Sequence, residues 1–319
     1  MELNLNNLVV ALSHALDFLE MDVLGVATNH SKRVAYIALR LGEEAGLSRE
    51  EFFDLITLAL LHDNGIGAGA AGAPGASLAL PSSLSDLQAL DKGAEHCVLG
   101  EANISGYPFR TAPKNIIAYH HENWDGSGFF HIAGDQIPLM AQIIRLADIV
   151  ELAHDLRSLD WQGKRKVEAF LADWAGKIFA PSLVGAFREV SSHPAFWLDL
   201  KDDFIVGAIR SRAPTYSQDL PWAEVDKVTA IFSRIIDSKS RFTLVHSRGL
   251  SEKAAVMASV YAFPQTEAQM FHIAANLHDV GKLAISNAIL DKPGKLEPWE
   301  TDVIQRHTYY TRVSLQSIA

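Results

Sequence analysis

The chain has 319 residues, 48% hydrophobic and 21% charged, with a formal net charge of −10. That length exceeds one ordinary core, so two domains are expected, each able to fold without disulfides. The acidic balance argues against a surface that tracks a nucleic-acid polymer, because such binding draws on clustered Lys and Arg; a small phosphate ligand held by bound cations remains open.

No stretch approaches the roughly 18–20 apolar residues of a membrane helix, and the N-terminus around Glu2 lacks a signal-peptide layout. The single Cys97 fits a reducing compartment. A soluble, cytoplasmic protein with no membrane partner is expected.

Helical periodicity then takes over. Val34, Ile37, Ala38 and Leu41 recur at spacings of three and four before Gly42 and Gly46, and a second amphipathic run covers Glu50 to Leu61. Residues 65–85, rich in Gly, Ala, Ser and Pro, read as a loop. Helical signals return at Ser85 to Asn103, Pro113 to His121 and Leu139 to Leu156. Trp161 to Arg241 holds long amphipathic runs without recognisable chemistry. Few windows alternate with the period of two that strands need, so the fold class is all-α.

The chain is self-similar. HSKRVAYIALRLGEEAGL from His30 resembles HSRGLSEKAAVMASVYAF from His246, and LLHDNGI (60–66) resembles NLHDVGK (276–282). The first His and the His-Asp pair are 32 residues apart in both copies, from 30 to 62 and from 246 to 278. A tandem duplication follows: residues 1–160 as a first module, 161–240 as a helical connector and 241–319 as a second, shorter module.

A His-Asp pair alone means little, since such dipeptides are common at helix ends. Here the pair His62 and Asp63 is accompanied by His30, His96, His120, His121 and Asp148, all within the first 150 residues. Neutral imidazoles and carboxylates are what a hydrolytic transition-metal site needs, and a carboxylate shared by two ions completes a binuclear pattern.

In order, H…HD…H…HHENWDGSG…AD, these residues resemble the HD-GYP group of HD-domain phosphodiesterases, helical bundles that hydrolyse cyclic dinucleotides. The resemblance implies metal ligation by His30, His62, Asp63, His96, His120, His121 and Asp148, and a substrate loop that includes Asp125, Gly126, Gly128 and Phe129. It also implies two divalent transition-metal ions, Fe or Mn first, with Zn and Ni accommodated by the same ligands, and cyclic di-GMP or cyclic GMP-AMP as substrate.

Three positions depart from the family pattern. Ile66 stands where the family has a phosphate-contacting Lys, Gly128-Phe129-Phe130 replaces Gly-Tyr-Pro, and Val26 stands where some members place a Glu for a third metal. A binuclear site with altered substrate preference is therefore expected. The second module has His246, His278, Asp279, Lys282 and His307, the last matching His96, but nothing corresponding to the later ligands. This suggests a chain that normally runs about a hundred residues further.

Other residues carry plainer expectations. Cys97 follows a ligand candidate, but neighbours on a helix point apart, so it reads as a small buried apolar residue. The tryptophans and the remaining histidines read as core or surface. A homodimer is compatible with the sequence. The principal alternative to an enzyme is an impaired HD module that serves as a regulatory or dimerising partner. A nucleotide or alarmone phosphohydrolase is weaker, because the HHENWDG string speaks against it.

Overall fold

The computed structural model describes residues 5–24, 28–66, 93–214, 221–240 and 246–316. Among these, every regular element is helical, and the sole strand-like feature is an isolated bridge between Ala175 and Phe179. The fold is all-α, as the periodicity predicts.

The first half contains α1 (Leu5–Leu24), α2 (His30–Glu44), α3 (Arg49–Leu60), α4 (Glu95–Asn103) and α5 (Leu139–Ala153). It continues through α6 (Trp161–Trp174), α7 (Pro181–Ser191), α8 (Pro194–Asp199) and α9 (Ile205–Arg212). The second half contains α10 (Trp222–Lys239), α11 (His246–Val260), α12 (Gln265–Leu277), a 3₁₀ turn (Val280–Ala284), α13 (Asn287–Leu290), α14 (Pro298–Gln305) and α15 (His307–Gln316).

α2 is the central element. Val34 to Leu39 and Leu41 are all fully buried, because α3, α5, α7 and α9 pack around the helix. A stretch apolar on every side, as 34–39 is, can only sit in a core. The turn to α3 is set by Gly46 at φ 72 and by a capping box. The Ser48 hydroxyl accepts from the Glu51 N–H at 3.2 Å, and the Glu51 carboxylate accepts from the Ser48 N–H at 2.8 Å, satisfying two otherwise orphaned donors.

α1 is likewise buried along its length, through Leu5, Leu8, Val9, Leu12, Leu16 and Leu19. One side packs on α2 and α3, the other on the 3₁₀ turn and α15, and Phe18 meets Tyr310 with ring centroids 5.0 Å apart. The stretch predicted to be a connector divides in two. α7 and α9 pack on α2, whereas α10 packs on α11, α12 and the 3₁₀ turn, standing before α11 as α1 stands before α2.

One predicted helix is absent. Residues 113–121 form turns, because the Glu101 carboxylate accepts from the N–H groups of Asn115, Ile117 and Ala118 at 2.8–3.1 Å, and Asn115 adopts φ 58. A side chain that captures these donors competes with a helical ladder. Of the helix expected over Ser85 to Asn103, the described part is helical over Glu95–Asn103. Residues 85–92, most of the predicted Gly-rich loop, Val26 and the side chain of His246 lie outside the described residues.

Candidate metal centre

Five segments deliver the predicted residues. His30 opens α2, His62 and Asp63 lie in the turn after α3, His96 is near the start of α4, and Asp148 is in the middle of α5. His120 and His121 come from the turn segment held by Glu101. All seven side chains are buried, and they converge.

Asp63 is the hinge of the arrangement. Its Oδ2 lies 3.5 Å from His62 Nε2, while its Oδ1 lies 3.6 Å from His96 Nε2 and 3.5 Å from His120 Nε2. Asp148 Oδ1 completes the first side, 3.4 Å from His30 Nε2 and 3.6 Å from His62 Nε2. These separations are long for hydrogen bonds. Two ligands each about 2.1 Å from one ion, at a tetrahedral angle, would be about 3.4 Å apart.

The atoms are also orphaned. His30 Nε2, His62 Nε2, Asp63 Oδ1, His120 Nε2 and Asp148 Oδ1 are buried without a hydrogen-bond partner. Buried polar atoms normally have partners, and five unpaired ones facing each other need an explanation. Divalent cations supply it, so the residues present fit metal ions.

Outer contacts fix the rings. His62 Nδ1 donates to Ala59 O at 2.9 Å, and His120 Nδ1 donates to Ile117 O at 2.6 Å, which leaves each Nε2 lone pair pointing inward. His30 Nδ1 is held by Glu151. Glu151 also accepts from Arg33 Nε at 2.7 Å, and Arg33 Nη1 reaches Asp202 at 2.9 Å. This is the carboxylate–histidine pairing that orients metal ligands.

His121 is arranged differently. Buried Arg145 donates through Nη1 to its Nδ1 at 2.9 Å and through Nη2 to Asn123 Oδ1 at 2.9 Å. Arginine has no acceptor, so the neutral His121 ring carries its proton on Nε2, 3.0 Å from His96 Nε2. In this orientation His121 offers an N–H to the cluster, and ligation through Nε2 requires Arg145 to withdraw or the ring to turn over.

Charge sharing shifts the protonation equilibria. Burial lowers the pKa of His30, but the Glu151 charge and the Asp148 contact outweigh it and hold the ring well above the usual imidazole value. His120 is likewise raised despite burial, by Cys97 and Asp63. Burial raises Asp148 and Asp63, yet the surrounding imidazoles bring both below the usual carboxylate range. Both aspartates are thereby kept ionised.

Several residues of the site escaped the sequence reading. Glu20 of α1 is buried with Oε2 unpartnered; burial pushes its carboxyl up to about 7, with His30, Asp17, His62 and Asp63 as its other electrostatic neighbours. Arg33 and Glu151 each follow a ligand candidate, His30 and Asp148, by three residues, one helical turn away on the same face. Cys97 is buried as expected, but its sulfur stands 3.6 Å from His96 Nε2, because the long imidazole reaches back across the angle that separates the two Cβ atoms.

The predicted substrate loop is only partly at the cluster. Phe129 lies beside His121, with ring centroids 6.2 Å apart. Asp125 does not join it; its carboxylate accepts from the Ser127 N–H at 3.0 Å and from the Ser127 hydroxyl at 2.6 Å. Gly126, at φ 82, belongs to the same turn. Gly128 lies against Glu122, where a Cβ would come within 2.5 Å of the carboxylate. Ile66 is buried in the core at 4% exposure.

The second half repeats part of this geometry. His278 Nδ1 donates to Ala275 O at 2.8 Å, and Asp279 Oδ1 lies 3.5 Å from His307 Nε2. A Cβ on Gly281 would fall 2.0 Å from His307 O, as one on Gly65 would fall 2.1 Å from His96 O. Lys282 does not reach toward the first cluster but pairs with Asp279 at 2.6 Å. Burial raises Asp279, but the His278 and Lys282 contacts bring it down to about 2.

Residues 19–173 match the family model described as HD domain. The chain is 28% identical to 3'3'-cGAMP-specific phosphodiesterase 1 of Vibrio cholerae, over 99% of this chain and 72% of that one. It is 26% identical to 3'3'-cGAMP-specific phosphodiesterase 3 of the same organism, over 99% and 76%. A crystal structure of a cyclic GMP-AMP specific phosphodiesterase of V. cholerae, V-cGAP3, superposes with a TM-score of 0.72 at 27% identity, covering 100% of this chain and 80% of that chain. Among the described residues no helix is long and apolar enough to cross a membrane. Residues 19–173 match the HD domain, and over its length the chain is similar to cyclic-dinucleotide phosphodiesterases of the HD-GYP type.

Proposed function

We propose that this protein is a metal-dependent phosphodiesterase that hydrolyses a cyclic dinucleotide at a binuclear centre in its first module. The observation that carries the reading is Asp63, whose Oδ2 faces His62 Nε2 and whose Oδ1 faces His96 and His120 Nε2, the His62 and His120 nitrogens being buried and unpartnered. Two relatives named for 3'3'-cGAMP that align with 99% of the chain make that compound the first substrate to test, with cyclic di-GMP second.

Two divalent ions, Fe or Mn in the first instance, supply an acidified water and positive charge for the phosphoryl oxygens when bound. The protein's part is positioning. His30, His62 and His120 present Nε2 lone pairs, with His30 oriented by Glu151. Asp63 and Asp148 stay ionised, and His121 offers an N–H beside Phe129. Residues from Trp222 onward form, in this reading, a second module built around His278, Asp279 and His307.

A regulatory or dimerising role without turnover is the second reading. It is favoured by Ile66, which is buried where the family Lys would contact phosphate. Elemental analysis of protein purified without oxygen or chelator, together with chromatographic assay of both cyclic dinucleotides, separates the two. About two ions per chain with hydrolysis is expected. His62→Ala or Asp63→Ala should lower both, and His278→Ala should leave the metal content unchanged. Metal without hydrolysis supports the second reading; no metal after reconstitution with Fe and Mn sinks the enzyme.

A further inference from the structure

We propose that Cys97 is a thiolate ligand at the second ion position, the one served by Asp63 Oδ1, His96 and His120. The inference rests on the binuclear reading and adds a sulfur donor to it.

The geometry is specific. Cys97 is fully buried, and its Sγ lies with one ring nitrogen each of His96, His120 and His121 in a group whose ligand atoms are all within 4.8 Å of one another. A sulfur about 2.3 Å and a nitrogen about 2.1 Å from one ion, at a tetrahedral angle, would be about 3.6 Å apart. The observed Sγ to His96 Nε2 separation is 3.6 Å.

An independent observation marks the same point. His120 Nε2 and Asp63 Oδ1 are buried without a hydrogen-bond partner, and they face each other at 3.5 Å. With His96 and Cys97 they make four donors, the number a closed tetrahedral site takes. His121, with Arg145 at its Nδ1, is the poorer fourth ligand. A plain thiol would add little here, being a weak donor and a weak acceptor. It is also the chain's single cysteine, so an internal disulfide is ruled out.

The chemistry follows from the sulfur. When an ion binds, the S–H bond breaks, the proton passes to solvent and a sulfur–metal bond forms. Thiolate is a soft donor that favours Zn, Co or Fe over Mn, whereas the position formed by His30, His62 and Asp148 has only nitrogen and oxygen. The two positions should therefore prefer different metals.

The test is optical. The full chain, Cys97→Ser and Cys97→Ala are each loaded with Co(II). The parent protein should show a near-ultraviolet sulfur-to-cobalt charge-transfer band beside the visible ligand-field bands. Both variants should lose the first and keep the second, and their Zn affinity at one position should fall about tenfold or more, while Mn affinity changes much less. Ligand-field bands without a charge-transfer band in the parent would overturn the Cys97 assignment alone. No cobalt bound in any of the three would overturn that assignment and the metal centre together.

Discussion

His30 shows how a single side chain links acidity to metal uptake. In the metal-free protein, Glu151 and Asp148 raise its pKa well above the imidazole norm despite burial, and His120 is raised too. An ion needs the Nε2 lone pairs, so binding must expel protons. Affinity should rise with pH and go on rising beyond the ordinary imidazole value of about 6.5, since the protons leave only at the raised values. Glu151→Gln should end that rise for one proton at lower pH and weaken binding by about 10- to 100-fold. Metal titration across pH by competition with a chelating dye reads both effects. A parent curve that levels off near pH 6.5 would contradict the assignment. His30, His62 and Asp63 were legible because they recur at the same offset as His246, His278 and Asp279, and the later candidates because they stand in the family's order. Their supports were not, because Arg145 and His121, or Arg33 and Asp202, come from segments far apart in sequence. The closeness of Cys97 to His96 Nε2 was not legible, because helical position fixes Cβ directions and not how far an imidazole reaches.

At the scale of elements, the turn after α3 must lie against α4 for Asp63 and His96 to meet. Gly65 permits this contact, since any Cβ there would stand 2.1 Å from His96 O and 2.8 Å from Gly100 N, both backbone atoms that cannot swing aside. Gly65→Ala should therefore cost about 1–3 kcal/mol or more and push His96 away from Asp63. The expected result is a lowered thermal midpoint together with loss of roughly one ion per chain. Retention of both ions would show that the turn can adapt. The helices themselves were readable from periodicity, including α2, α3 and α5. The failure at residues 113–121 is instructive, because an apolar spacing that suits a helix says nothing about a glutamate fourteen residues upstream that claims the N–H groups.

For the molecule as a whole, α1 joins the two halves, and one apolar core runs from Leu5 through Ile236 to Leu277, Val280 and Leu283. Leu12→Ala, at a fully buried position on α1, should cost about 2–5 kcal/mol. It should speed native-state hydrogen exchange in α2 and α12 alike, and faster exchange confined to α2 would indicate halves that unfold independently. The repeat was visible in the sequence, but the union of its copies was not. An apolar helix announces that it is buried without naming what buries it.

The position of α1 also sets an order in time. The side that packs on α2 and α3 is covered by the next few dozen residues made. The side that receives the 3₁₀ turn and α15, with Phe18 against Tyr310, waits for chain that lies almost 300 residues further on. Until then its leucines face water or a substitute. Closing so long a loop is slow, and a half-covered apolar helix is what invites association with the wrong partner. The contact that makes this fold a single body must wait for residues made long after α1.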